Sequence, residues 1–221
     1  ESVLEALYST PAGKNTIVIV LADHGDGMGS HRMVTKQVSF YEEMTNVPFI
    51  IAGPGIHPRQ KPVEDLLTQP TIDLLPTLCE LAGIPVPSSK PGISLAPFLK
   101  GEKQKRQHPY AASEWHSEYE VTVSPGRMIR SPRYKYTHYL EGNGEELYDM
   151  LKDKGERRNL AHDPKYSKIL AEHRALLDDY IHRTQDDYRS LKVEADKRWR
   201  SHVPGYPNHE GPCARDIINR K

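Results

Sequence analysis

Residues that could hold a metal ion follow the first strongly apolar segment of the chain. Thr16–Leu21 is a run rich in β-branched residues, and Asp23, His24 and Gly25 come directly after it. An Asp oxygen and a His nitrogen on consecutive residues can reach one divalent cation where glycines let the backbone turn sharply. Two donors are fewer than the roughly six to eight that Ca²⁺ prefers, so a solvated loop with a helix-capping Asp is the alternative interpretation.

Two further residues on the same stretch could contact an anion or line a pocket. Lys36 carries a compact cation with three hydrogen-bond donors, and His31 follows a glycine-rich turn. The ordinary alternative for Lys36 is a solvated side chain, and for His31 a histidine that orders the glycine loop.

Strands and a helix in the first half of the chain must position these residues. A run that is apolar on both faces is typical of a central strand, usually parallel, so we expect such a strand at Thr16–Leu21 and a second strand at Val47–Ile51. Ligands bind at the carboxyl ends of strands in open α/β sheets, where Asp23 would lie. Helical spacing predicts a helix over Thr71–Ala82, with Gly83 as its stop.

The periodicity changes after the charged loop Gly101–His108. Alternating residues and turn signals predict an antiparallel meander, with strands at Val121–Val123, Arg127–Arg130 and Tyr134–Leu140 and a turn at Gly142–Gly144. An amphipathic helix begins near Tyr166, and its pattern extends towards Leu191. We therefore predict an α/β portion over residues 1–105, an α+β subdomain over 106–200 and an irregular tail over 201–221.

Composition excludes some classes of function. The chain has 30 Lys plus Arg and 30 Asp plus Glu, and a balanced charge argues against a nucleic-acid-binding surface. No apolar run approaches the roughly 20 residues that a membrane helix needs, so we expect no membrane partner. The two cysteines, Cys79 and Cys213, form no CxxC pair.

The order of motifs from Asp23 to Gly55 resembles the sulfatases of the alkaline-phosphatase-like superfamily. In that family an Asp followed by Asn or His closes the metal site, a Gly-x-His follows, a Lys contacts the sulfate oxygens, and an acidic helix leads to a Val-Pro strand and a Pro-Gly turn. The matching residues are Asp23-His24-Gly25, Gly29-Ser30-His31, Lys36, Tyr41-Glu42-Glu43, Val47-Pro48 and Gly53-Pro54-Gly55. Thr71–Leu78 resembles the family's Asp-x-x-Pro-Thr helix, and the resemblance extends over about residues 1–165.

The resemblance implies a fold and a set of roles. The fold is α/β, an alkaline-phosphatase-like sheet portion followed by a small α+β lobe with an antiparallel sheet and a long C-terminal helix. Asp23 and His24 are implied to bind a divalent metal, with Ca²⁺ as the expected ion. Lys36 is implied to contact the sulfate and assist catalysis, and His31 to line the pocket as a catalytic residue.

The family's nucleophile has no counterpart in the chain. It is a formylglycine made from Cys or Ser in a Cys/Ser-x-Pro/Ala-x-Arg motif, and the surroundings of Cys79, Cys213 and Ser89 do not fit that motif. The resemblance implies that this motif and the remaining metal ligands lie N-terminal to these residues. We therefore expect the chain to be the C-terminal portion of an enzyme, inactive without its N-terminal part.

Aromatic and polar residues mix in the stretch Glu114–Tyr119, as they do in sugar-binding surfaces, and we take His116 as a candidate substrate contact. An edge strand and loop with a packed Trp is the alternative. Arg127, Arg130 and His138 could extend a basic rim for an anionic saccharide, and a solvated sheet face explains them equally well.

Three functions remain open. The first is a sulfuric ester hydrolase that acts on a sulfated small molecule or saccharide. The second is a phosphodiesterase or phosphonate monoester hydrolase of the same superfamily, because the metal-and-anion corner serves either oxyanion. The third is a non-catalytic binding module. The sequence leaves the localisation unknown, and the resemblance implies a periplasmic, secreted or lysosomal enzyme.

Overall fold

The computed structural model describes residues 2–33, 39–64, 66–88, 91–103, 108–116, 125–140 and 144–191. The chain divides between Ala111 and Ala112 into two compact units, called here the N-terminal and the C-terminal unit. The predicted division after residue 105 stays a prediction. Among the described residues, none of the helices is both long and apolar enough to cross a membrane.

Helices and one pair of strands build the N-terminal unit. Its elements are α1 (Ser2–Tyr8), β1 (Val18–Leu21), α2 (Glu42–Thr45), β2 (Phe49–Ala52), α3 (Pro70–Leu81) and α4 (Ala96–Leu99). Short 3₁₀ segments lie at Pro11–Asn15 and Ser30–Arg32.

Strands β1 and β2 pair in antiparallel register, with Leu21 opposite Phe49. The expectation of a parallel pairing is wrong for this pair, because an apolar run reports a tendency to be buried but does not specify its neighbour. Val20 and Leu21 remain 49% and 41% exposed. The antiparallel pairing has a local consequence: the residues after β1 and the residues before β2 lie at the same end of the pair.

Helix α3 confirms the helix predicted at Thr71–Ala82. It ends where predicted, since Gly83 has a φ of +69° and the Ile84 N–H donates to the Cys79 carbonyl at 2.8 Å. The buried side chain of Asp73 accepts hydrogen bonds from the backbone of Gln69 and Ile93, at 2.7 and 2.8 Å. It also contacts the His108 Nε2 at 2.8 Å.

The described part of the C-terminal unit is a four-stranded sheet with a helix against it. Its strands are β3 (Ala111–Trp115), β4 (Gly126–Arg130), β5 (Tyr134–Tyr139) and β6 (Gly144–Asp149), in the order β3-β4-β5-β6, and α5 spans Ser167–Thr184. Strands β4, β5 and β6 pair in antiparallel register, which confirms the predicted meander there. The predicted strand at Val121–Val123 and most of the Gly142–Gly144 turn lie outside the described residues.

Helix α5 buries Leu170, His173 and Leu177 at its amphipathic face. Its predicted extension to Leu191 is wrong, because Gln185 adopts a left-handed conformation with a φ of +55° and ends the helix. Asp186 then turns back to the sheet, where its carboxylate accepts hydrogen bonds from the Arg127 guanidinium at 2.6 and 2.9 Å.

Candidate active site

The Asp23–His24–Gly25 turn begins two residues after β1 and orders its own side chains. The His24 N–H donates to the Asp23 Oδ1 at 2.9 Å. The His24 Nδ1 lies 2.7 Å from the Gly25 carbonyl oxygen, and its Nε2 lies 3.6 Å from the Asp23 Oδ2. Both side chains are accessible, Asp23 at 88% and His24 at 41%. The two side chains predicted to bind a metal therefore lie beside each other, accessible, after the end of a strand.

The backbone of Gly25 contacts α2, the short helix that precedes β2. Its N–H donates to the Met44 carbonyl at 2.9 Å. A Cβ at Gly25 would lie 1.8 Å from the Glu43 carbonyl oxygen, which is main chain and has no rotamer to change. Only a glycine permits this approach. Met44 is itself buried, so the turn rests on a packed helix.

His31 contacts the same helical segment. Its ring stacks on Tyr41 with centroids 3.7 Å apart and planes 3° from parallel. Its Nε2 lies 3.8 Å from a carboxylate oxygen of Glu43. His31 holds a φ of +50°, an uncommon conformation for a residue with a Cβ. Sequence reasoning identified His31 and the turn-forming Gly25, but it gave Tyr41 no part in fixing this corner.

The roles of two further predicted site residues, Lys36 and His116, stay predictions. Lys36 lies outside the described residues, and its contact with an anion stays a prediction. His116 follows β3 in the C-terminal unit and is exposed. Glu114 and Trp115 belong to β3, the first strand in the order of the described sheet, and the role of His116 as a substrate contact stays a prediction.

For Arg127 and His138 both interpretations, a basic rim and a solvated sheet face, are wrong, because these residues are only 3% and 5% exposed. Arg127 also lies over the Tyr188 ring, 4.5 Å from its centroid. Its hydrogen bonds to Asp186 lower the pKa of that carboxyl below its usual value. The His138 Nδ1 lies 2.7 Å from the Tyr188 hydroxyl. These groups attach the segment after α5 to the sheet.

A second group of charges is buried in the C-terminal unit. The Lys135 Nζ lies 2.9 Å from the Glu156 Oε1, and both side chains are 1% exposed. Glu146, 8% exposed, stands opposite Thr137 on the neighbouring strand. Burial raises the pKa of Glu146 to about 7, the Glu156 carboxylate adds to the rise and the Lys135 ammonium opposes it. Sequence reasoning missed this cluster, because polar residues that alternate along a strand usually indicate a solvated face.

The donor chemistry of Asp23 and His24 fits a divalent cation, although it does not complete a site. A carboxylate oxygen and an imidazole nitrogen 3.6 Å apart can occupy neighbouring coordination positions. Among the residues that the structure describes, no group of three or more His, Cys, Asp or Glu side chains could hold a metal ion. Further ligands are needed.

The sequence of the chain matches a known protein family. A family model described as N-sulphoglucosamine sulphohydrolase, C-terminal, matches residues 29–183. The chain belongs to this sulfatase family, and the expected alkaline-phosphatase-like fold class is confirmed.

Two curated relatives of this chain are sulfatases. The chain is 76% identical over 221 residues to the Delta 4,5-hexuronate-2-O-sulfatase of Bacteroides thetaiotaomicron, covering all of this chain and 46% of that protein. It is 34% identical over 167 residues to arylsulfatase K of Canis lupus familiaris, covering 72% of this chain and 30% of that protein. The chain thus spans less than half the length of these curated relatives.

Two solved structures share the fold of this chain. A 2-O GAG sulfatase is 77% identical and superposes with a TM-score of 0.87, over 98% of this chain and 47% of that one. A phosphonate monoester hydrolase from Silicibacter pomeroyi is 26% identical with a TM-score of 0.72, over 86% of this chain and 39% of that one. The fold is therefore shared by both reaction classes, whereas the high identity is to the sulfatase.

Proposed function

We propose that the protein hydrolyses carbohydrate sulfate esters, and that its substrate class is a saccharide with a 2-O-sulfated hexuronate. The observation that carries the proposal is the Asp23–His24 pair, whose accessible carboxylate and imidazole lie 3.6 Å apart after the end of β1. The substrate class is supported by the 76% identity to a Delta 4,5-hexuronate-2-O-sulfatase. The phosphonate monoester hydrolase alternative is less favoured, because the corresponding identity is 26%. Retained metal donors argue against a non-catalytic module.

In this proposal each residue of the corner has one task. Asp23 and His24 hold a divalent cation, for which Ca²⁺ is the ion expected from the family. A bound cation supplies positive charge that offsets the charge on the sulfate oxygens. Lys36 donates to a sulfate oxygen, His31 lines the pocket from its position on Tyr41, and His116 is a candidate saccharide contact.

The nucleophile belongs to the proposal as well. The 221 residues contain no Cys/Ser-x-Pro/Ala-x-Arg motif, so we propose that a formylglycine from another part of the protein attacks the sulfur. The residues described above would then bind, orient and neutralise the ester.

The proposal is tested by measuring inorganic sulfate released by the full protein from an unsaturated disaccharide with a 2-O-sulfated hexuronate. The same disaccharide sulfated only on the amino sugar, and a phosphonate monoester, are the matched comparisons. We expect release from the first substrate to be at least about a hundredfold faster, a difference of about 3 kcal/mol in transition-state stabilisation. Faster hydrolysis of the phosphonate monoester would favour the alternative.

The role of Lys36 is tested by substitution with alanine in the same assay. Removing one cationic donor to the transition state lowers kcat by about 10²–10³ in comparable sites. Lys152→Ala is the control, because Lys152 is an exposed lysine of the C-terminal unit. Equal rates in the two variants would remove Lys36 from the site.

A further inference from the structure

The segment that follows β2 forms one wall of an open groove in the N-terminal unit. The groove has a volume of about 630 Å³, and residues 57–64 line it together with Phe98 from α4. Strands β1 and β2 are antiparallel, so this segment leaves the pair at the end opposite the Asp23–Gly25 turn. It therefore starts at a different place in the unit from the residues predicted to bind a metal.

Basic side chains outnumber acidic ones in this groove. Among the described residues, its lining includes His57, Arg59 and Lys61, and the carboxylate of Glu64. The three basic residues are exposed. None of the ion pairs within the described part of the chain includes Arg59 or Lys61. The groove thus presents positive charge to the solvent.

Arg59 differs in its contacts from the paired arginines of the C-terminal unit. Its guanidinium lies over the Phe98 ring, with the Cζ 4.2 Å from the ring centroid. The ring covers one face of the guanidinium, whereas the five N–H donors lie in its plane and point away from its edge. The arginines that pair with a carboxylate are Arg127, Arg133, Arg158, Arg174, Arg183 and Arg189. The aromatic contact therefore positions the Arg59 guanidinium and leaves its donors in the plane for an anion.

Backbone features hold the groove in shape. The His57 N–H donates to the Leu99 carbonyl at 2.6 Å, which joins the segment to the end of α4, where Phe98 lies. Pro58 and Pro62 flank the two cationic residues, and their rings fix φ near about −65°. A rigid loop loses less conformational entropy when it binds a ligand. The pyrrolidine rings also offer apolar surface to the carbon atoms of a sugar.

We propose that this groove is an accessory binding site for an anionic saccharide segment, one that carries sulfate or carboxylate groups. The edge of a guanidinium donates two parallel hydrogen bonds to such a group, and an ammonium beside it supplies further donors. The choice of a saccharide among anions rests on the proposed function, because a sulfated saccharide is the substrate class given above. Such a site raises the local concentration of a long sulfated chain at the protein surface.

The proposal is tested by fluorescence anisotropy of the full protein with a labelled hexasaccharide that carries N- and 6-O-sulfates and no 2-O-sulfate. The proposed reaction does not consume this probe. A neutral hexasaccharide of N-acetylated amino sugars is the comparison. In physiological salt, we expect the anionic probe to bind at least about tenfold more tightly than the neutral one.

Arg59→Ala combined with Lys61→Ala should weaken binding of the sulfated probe at least about tenfold, because both cationic donors to the anion are lost. Lys152→Ala combined with Lys168→Ala is the matched control, since it removes the same charge from exposed lysines of the C-terminal unit. Because salt screens distant charges, the control should keep its affinity within about twofold of wild type.

Three results would overturn the proposal. One is equal binding of the anionic and neutral probes by the wild-type protein, a measurement that needs no variant. The second is an equal loss of affinity in the two double variants. The third is full displacement of the probe by inorganic sulfate at the same concentration of sulfate groups, which would assign the groove to a free ion.

Sulfate release from the 2-O-sulfated disaccharide is assayed separately on the same wild-type protein. Probe binding that is lost in the groove variant, without release of sulfate from any saccharide, would reject the proposed function alone. Release of sulfate, together with equal binding of the two probes, would reject the accessory site alone.

Discussion

Charged and polar side chains are used in opposite ways at the Asp23–Gly25 turn and around Lys135. In the N-terminal unit, the Asp23 and His24 side chains are exposed and backbone groups orient them. In the C-terminal unit, Lys135 and Glu156 are buried and neutralise each other. Groups that must receive a ligand have to remain accessible, whereas buried charges require partners within the fold. This contrast agrees with the binding role proposed for the Asp23–His24 turn and with a structural role for the buried pair.

The largest effect should come from breaking the buried pair. Glu156→Gln removes the negative charge 2.9 Å from the buried Lys135 ammonium, and removal of one charge of a buried pair costs about 3–5 kcal/mol. Urea unfolding monitored by circular dichroism measures the loss.

An exposed pair supplies the matched control. Arg183 and Asp179 lie four residues apart on α5, 2.8 Å from each other and both 55% exposed. Arg183→Ala should cost no more than about 0.5 kcal/mol. Similar losses in the two variants would contradict the structural role assigned to the buried pair.

A smaller effect on stability, with a larger relative effect on activity, is expected for Gly25→Ala. The added Cβ would meet the Glu43 carbonyl at 1.8 Å, so the turn must move away from α2. Overpacking of this kind costs about 1–3 kcal/mol. Because the displaced turn carries Asp23 and His24, we expect the rate of sulfate release per folded molecule to fall at least about tenfold.

Gly155→Ala is the control for that substitution. The nearest atom to a Cβ at Gly155 lies 3.4 Å away and belongs to the flexible Arg157 side chain. Stability and activity should both stay near wild type. A Gly25→Ala enzyme with full activity would show that the contact with α2 does not position the metal donors.

The smallest effect is a pH dependence of stability caused by Glu146. Burial raises its folded-state pKa to about 7, from an ordinary value of 4.5, so between these values the folded state holds a proton that the unfolded state has lost. Stability should therefore decrease as the pH rises from about 5 to 7, by about 1 kcal/mol per pH unit. Urea unfolding at pH 5, 6 and 7 measures this slope.

Glu146→Gln provides the comparison, because a glutamine does not titrate. Relative to wild type, the variant should gain stability as the pH rises through this window. A constant difference between the two proteins from pH 5 to 7 would show that Glu146 titrates normally in the folded state.

Local patterns in the sequence predict part of this fold well. Helix α3 and strands β4 and β5 were predicted because their periodicity and end signals lie within the elements themselves. The antiparallel pairing of β1 with β2 was not, because it depends on residues about 30 positions apart.

The candidate site was predicted by residue type and not by geometry. Asp23, His24 and His31 were identified, but the orientation of His24 and the stacking of His31 depend on the Gly25 carbonyl and on Tyr41. Lys135 was missed because nothing in its neighbours in sequence reports that Glu156 covers it.

The Asp73 carboxylate has a consequence for the order in which the N-terminal unit can fold. Its three partners lie four, 20 and 35 residues away in sequence, and only the nearest belongs to the start of α3. The helix can begin alone, but its buried anion gains the other two partners only after two loop closures, whose entropic cost rises slowly with loop length. Completion of α3 is thereby coupled to the arrival of the segment that ends at His108. A cut in the chain between Ile93 and His108 would turn one of these intramolecular contacts into an intermolecular one.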